Sequence, residues 1–159
     1  AASYLDMAYH MLEPGAEACD KKQSLRSPLT VGQFAGKWCS YSATPDLPYD
    51  QREEDGGSLV YETGELEEGL EILGMPEVQL CFTSDQPVAQ VAARLIDVSP
   101  QGHATRVTYG LLNLTHRDSH EFPEPLEPGS LHTATLRMNG VAHSFREGHK
   151  IRLSLSTSY

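Results

Sequence analysis

The stretch PVAQVAARLIDVSPQGHATRVTYGLLNLTHR, residues 87–117, limits the fold more than any other. Its first arm sets Val91, Ala93 and Leu95 on one face, and its second sets Val107, Tyr109 and Leu111. That two-residue period belongs to a pleated strand, not to a helix. Between the arms stands Ser99-Pro100-Gln101-Gly102, with proline and glycine where a tight turn favours them. The stretch reads as an antiparallel hairpin.

The rest of the chain follows the same grammar. SLVYET is strand-like, and GLEILGMPEVQLCFTSD holds a strand on each side of Gly74-Met75-Pro76. LHTATLRM and the closing IRLSLSTSY are strands, whereas EFPEPLEPGS is a loop, because its three prolines cannot lie inside a sheet. SYLDMAYHMLE (3–13) suits a short helix or a strand, and Pro14-Gly15 ends either. Residues 27–57 read as one or two short strands and a long irregular loop punctuated by Pro45, Pro48, Gly56 and Gly57. Seven or so short strands without strand–helix alternation predict an all-β fold, an antiparallel β-sandwich.

A chain of 159 residues fits one domain, and at this size folding buries roughly 70% of the surface an unfolded chain exposes. The formal charge of −10 argues against nucleic-acid and anionic-membrane partners, which would repel the molecule. Cys19, Cys39 and Cys81 are odd in number and lack a CxxC pair, so they read as reduced, mostly buried thiols of a cytoplasmic protein. No apolar run approaches the ~20 residues of a membrane span.

Four clusters bear on chemistry. In AHSFREGHKIRLSLS (142–156), Gly148 gives a turn its backbone freedom, and His143 and His149 read as turn and strand-end residues rather than catalysts. In THRDSH, His116, Asp118 and His120 alternate; an extended strand would turn all three to one side, where they either chelate a metal or bond neighbouring loops. The bland reading, with no metal, is preferred. Ser119 cannot complete a triad there, because its side chain would point to the opposite face. Trp38 and Tyr41 in KWCSY suit a domain interface or, alternatively, a sugar-stacking platform. The acidic runs QREEDGG and ETGELEEGLE read as solvated loops, with Arg52 in a local ion-pair network with Glu53, Glu54 and Asp55.

RSPLTVGQFAGKWC, DQREEDGGSLVYETGELEEGLEILGMPEV, TRVTYGLLNLTHRDSH, PLEPGS and AHSFREGHKIRLSLS, in that order, resemble the C-terminal domain of the cocaine-esterase and X-Pro dipeptidyl-peptidase family of serine hydrolases, the CocE/NonD group. The resemblance covers about residues 26–159 and leaves 1–25 as an N-terminal segment of uncertain structure. It implies a jelly-roll sandwich of galactose-binding-like shape. It also implies that the triad lies elsewhere, in an α/β-hydrolase catalytic domain of the same parent chain on which this domain packs, helping to wall the active-site cleft. No cofactor is implied, and a homo-oligomer is compatible. Trp38, Tyr41, His116, Arg117, Asp118 and His120 become candidates for the domain interface or cleft wall. The family pattern runs past Tyr159, so a final segment is expected to be missing. No G-x-S-x-G elbow occurs, since Val60 follows Ser58 where the second glycine belongs. The rival reading from another class is a carbohydrate-binding module.

Overall fold

The computed structural model describes residues 5–8, 22–37 and 46–159. Along the chain run β1 (Leu5–Ala8), β2 (Lys22–Leu25), a helical turn α1 (Arg52–Asp55), β3 (Leu59–Glu62), β4 (Leu70–Gly74), β5 (Glu77–Ser84), β6 (Gln90–Val98), β7 (Ala104–Asn113), β8 (Leu131–Arg137), β9 (Val141–Phe145) and β10 (Lys150–Ser156). Two four-stranded sheets form, ordered β2-β1-β5-β8 and β3-β10-β6-β7, beside a ribbon of β4 and β9. Every described strand pairing is antiparallel.

The core lies between the two larger sheets. Leu80 and Phe82 of β5 with Ala134 and Leu136 of β8 meet Val91 and Ala93 of β6, Leu112 of β7 and Leu155 of β10. Alternation in each strand sends these side chains inward, and burying each large one contributes roughly 1.5–3 kcal/mol. The predicted sandwich is therefore the observed architecture. Among the described residues, no helix is long and apolar enough to cross a membrane.

The hairpin forms as read, with Val91 opposite Leu112 and Ala93 opposite Gly110. Its turn closes through Gly102 N–H donating to Ser99 O at 2.8 Å, and Gly102 sits at φ 83°. The facing of the second arm is corrected. Thr108 pairs with Leu95 and Arg106 with Ile96, so Val107 is left over as a bulge. Leu112 and Leu114, not the 107/109/111 set, reach the core. Leu111 stays 47% exposed. Gly110 explains the choice: a Cβ there would lie 2.6 Å from the Arg137 carbonyl oxygen, so only glycine lets β7 pass that close to the end of β8.

A second correction concerns the polar side of β10. Leu153 and Leu155 face the core as their alternation predicts, but Ser154 and Ser156, on the opposite face, are fully buried. On β6, Ala92, Arg94 and Ile96 share that face and are likewise buried. The outer side of the sheet is covered by a third layer, made of residues 27–37 and 46–58.

Candidate interaction surfaces and charged clusters

The third layer has almost no regular structure, so its backbone groups need other partners. Glu54, on α1, supplies two of them. Its carboxylate accepts the Gly32 and Phe34 N–H groups, both at 2.5 Å, and lies 3.6 Å from the Arg94 guanidinium. Both charged side chains are almost wholly buried. Arg94 also donates to Ser58 Oγ at 2.7 Å. Burial pulls the Arg94 guanidinium below the ordinary arginine range, against the pull of the Glu54 and Asp55 carboxylates.

Next to Glu54, Asp55 accepts from Arg152 at 2.5 Å and from the Ser154 hydroxyl, tying α1 to β10. Arg152 reaches on to Glu62 of β3 at 2.5 Å. Burial opposes the charge on Arg152, but its bonds to Glu62 and Asp55 hold it above the usual range. Gln51, also buried, donates through Nε2 to the Phe34 and Tyr49 carbonyls at 3.1 and 2.8 Å. The acidic run is thus a helical turn with a buried carboxylate, not a solvated loop. Arg52 pairs with Asp50 rather than with the run itself.

The chain's end closes the same layer. Ser27 and Thr157 exchange bonds, each backbone N–H donating to the other's hydroxyl oxygen, at 2.9 and 3.0 Å. Arg106 donates to the Tyr159 hydroxyl at 2.8 Å and to the Ala35 carbonyl, while Tyr159 stacks on Tyr109 with ring centroids 4.9 Å apart. Burial raises the Tyr159 phenol, with Arg106 opposing. Within the layer, a groove of about 330 Å³ is lined by residues that include Pro28, Val31, Phe34, Glu53, Glu54 and the Gly56-Gly57 pair. Leu29 and Tyr49 stand 85% and 49% exposed.

A second charged cluster sits where the β4–β9 ribbon meets the sandwich. Asp97, at the end of β6, holds His143 Nε2 at 2.9 Å and His149 Nδ1 at 2.7 Å. His149 follows the Gly148 turn and leads into β10, so the expected turn into a strand is present. What sequence reading missed is that both imidazoles converge on one carboxylate, 46 and 52 residues away. Each histidine already spends one ring nitrogen on Asp97, which orients the rings and ties three segments together.

The remaining expected residues separate. Trp38 and Tyr41 lie outside the described residues, as do Cys19 and Cys39; Cys81 is a half-buried free thiol on β5. THRDSH is not an extended strand. Asn113 caps the backbone of Thr115, and Leu114–His116 wind into a 3-10 turn with Leu114 fully buried, so the strand's alternation ends at Asn113. His116 and His120 still meet, rings tilted 38° at 5.5 Å. Arg117 turns to the Leu114 and Glu124 carbonyls at 3.3 and 2.9 Å and pairs with Asp118 at 3.1 Å. Among the described residues, no group of three or more His, Cys, Asp or Glu side chains is arranged to hold a metal ion.

A family model described as the X-Pro dipeptidyl-peptidase C-terminal non-catalytic domain matches residues 11–159. The chain belongs to that family. Cocaine esterase of a Rhodococcus species (strain MB1 Bresler) is 27% identical over 113 residues, covering 70% of this chain and 20% of the esterase. The solved structure of an alpha-amino acid ester hydrolase, 27% identical, superposes with a TM-score of 0.68 over 72% of this chain and 20% of that one. The fold is also that of an aminopeptidase from a marine sediment archaeon (Thaumarchaeota archaeon), with a TM-score of 0.69 at 23% identity over 76% of this chain and 22% of that one. The chain thus spans between 20% and 28% of the length of the curated relatives it matches. Membership in this X-Pro dipeptidyl-peptidase domain family agrees with the absence of a G-x-S-x-G elbow from the sequence.

Proposed function

We propose that this domain packs on an α/β-hydrolase catalytic domain of the same parent chain and forms part of the wall of its active-site cleft. The observation that carries the reading is the match of residues 11–159 to a domain described as C-terminal and non-catalytic. The parent's chemistry is then acyl transfer: a serine attacks an ester or amide carbonyl, a histidine moves the proton, and water releases the acyl group. None of these reacting groups belongs to this chain. Trp38, Tyr41, His116, Arg117, Asp118 and His120 serve as contacts to the catalytic domain or cleft wall, residues 26–159 form the bulk of the domain with a jelly-roll strand path to which β1 and β2 add, and copies of the parent associate as a homo-oligomer. A cytoplasmic setting belongs to the same reading and is supported by the free thiol of Cys81 and the lack of a CxxC pair.

The direct experiment assays the 159-residue chain against aminoacyl-proline anilides and nitrophenyl esters. Rates equal to buffer are expected. Turnover above background that follows the protein through purification would overturn the assignment.

A further inference from the structure

We infer that the outward side of the third layer, around Leu29, Phe34 and Tyr49, is the surface on which the parent's catalytic domain docks. The inference rests on the function proposed above and adds where contact is made.

Three observations lead there. The first is the way the layer is held. A loop gains nothing from rigidity alone, and fixing each residue costs roughly 1–2 kcal/mol of backbone entropy. Yet residues 28–36 and 46–58 are immobilised from within the layer by Glu54 and Gln51, and from the sheet by Arg106 and the Ser27–Thr157 exchange. The layer also carries a groove, and Leu29, between the groove residues Pro28 and Thr30, stands 85% exposed on this fixed base. Phe34 and Tyr49 meet edge to face at 5.9 Å beside it, a preorganised aromatic pair. Side chains already fixed before contact lose little entropy on binding.

The second observation is where the chain enters. The family description makes this domain C-terminal, so the catalytic part of the parent precedes it. β1, the first described strand, pairs with β2, and its Leu5 stands opposite Leu25. From the end of β2 at Leu25, the chain passes in two residues to Ser27, already part of the layer. A domain tethered ahead of β1 is held close to this face, which raises its effective concentration there.

The third is size. Between 72% and 80% of the relatives' length lies outside the matched region, taking the 28% and 20% shares from the whole. The occupant is therefore a whole domain, large enough to cover the layer. A competing apolar surface, Leu70, Leu73 and Met75 on and after β4, belongs to the two-stranded ribbon that Asp97 ties to the end of β6.

The test compares Leu29→Lys and Leu73→Lys, each in the 159-residue chain and in the full-length polypeptide that carries it, by scanning calorimetry. Both leucines are more than four-fifths exposed, 85% and 88%, so neither change should move the melting of the chain alone. In the full-length polypeptide, Leu29→Lys should lower this domain's transition by roughly 3–6 °C and separate it from the catalytic domain's, while Leu73→Lys should not. If Leu73→Lys separates the transitions and Leu29→Lys does not, docking stands and the assigned face is wrong. If neither does, and the domain melts alike alone and in full length, both the face and the docking reading fall. A Leu29→Lys shift of equal size in the chain alone marks a structural residue and also overturns the assignment.

Discussion

Replacing Glu54 with alanine should be the most damaging single change to the third layer. The carboxylate accepts two backbone N–H groups at 2.5 Å and faces a guanidinium that is fully buried. Its loss removes the carboxylate nearest to Arg94 and leaves an interior charge with only Asp55 to offset it, where a fully uncompensated one costs about 3–5 kcal/mol. Each orphaned N–H would add about 1–3 kcal/mol if it stayed dry, but Gly32 and Phe34 are only half-buried and water can reach them. The layer can also lift slightly, which caps the total near about 4 kcal/mol. Against a whole-domain stability of about 5–15 kcal/mol, that is a large share. In urea, with a slope of about 2 kcal/mol per molar, the midpoint should fall by about 2 M. Arg94→Met should cost less, about 2 kcal/mol, because Glu54 keeps its two N–H donors. In the double variant the two losses should not add, leaving a coupling of about 2 kcal/mol. A midpoint shift for Glu54→Ala under about 0.5 M, or strictly additive singles, would refute the claim that the pair anchors the layer.

Gly110→Ala should destabilise the domain by about 2–3 kcal/mol through the 2.6 Å approach of the new Cβ to the Arg137 carbonyl oxygen. Gly64→Ala, with nothing within 4 Å, should stay within about 0.5 kcal/mol, and equal effects in thermal melts would count against the close β7–β8 packing. Asp50 predicts an acid dependence. Burial opposes its charge, but the bonds from Arg52, with His103 alongside, lower its carboxyl from 3.8 to about 2. A depressed folded-state value means the contribution is complete above 3.8 and is lost as the pH falls towards 2. Asp50→Asn should therefore flatten the fall of urea midpoints across that window, and parallel profiles for the two proteins would remove Asp50 as a cause.

Local order was legible wherever one strand face is apolar and a turn has its own chemistry. Ile151, Leu153 and Leu155 announced β10, and Ser99-Pro100-Gln101-Gly102 announced the hairpin. The bulge at Val107 was not legible, since it depends on how β7 passes β8 and not on its own alternation. THRDSH departs from strand alternation because Leu114 dives into the core and the backbone winds into a 3-10 turn there. The third layer was hidden for a different reason. Polar alternation on β10 ordinarily means solvent, and only a long-range partner turns Ser154 and Ser156 into buried residues. One signal was present in the sequence: Arg94 stands inside the apolar run VAARLI, where a charge is costly unless a carboxylate comes to meet it.

That same logic joins the two charged clusters. Glu54 links a loop to β6, Asp55 links α1 to β10, and Asp97 links β6 to the ribbon strand β9 and to the turn before β10. In each case one carboxylate collects donors from segments far apart in sequence, where apolar packing alone would fix position only loosely. The chain's 22 acidic residues therefore do not act as a uniform solvating charge. Those at 54, 55 and 97 are placed where the sandwich must hold an element that is not part of its two main sheets. Directional bonds fix such an element in one place, and a surface meant to meet another domain needs that fixed place more than it needs extra stability.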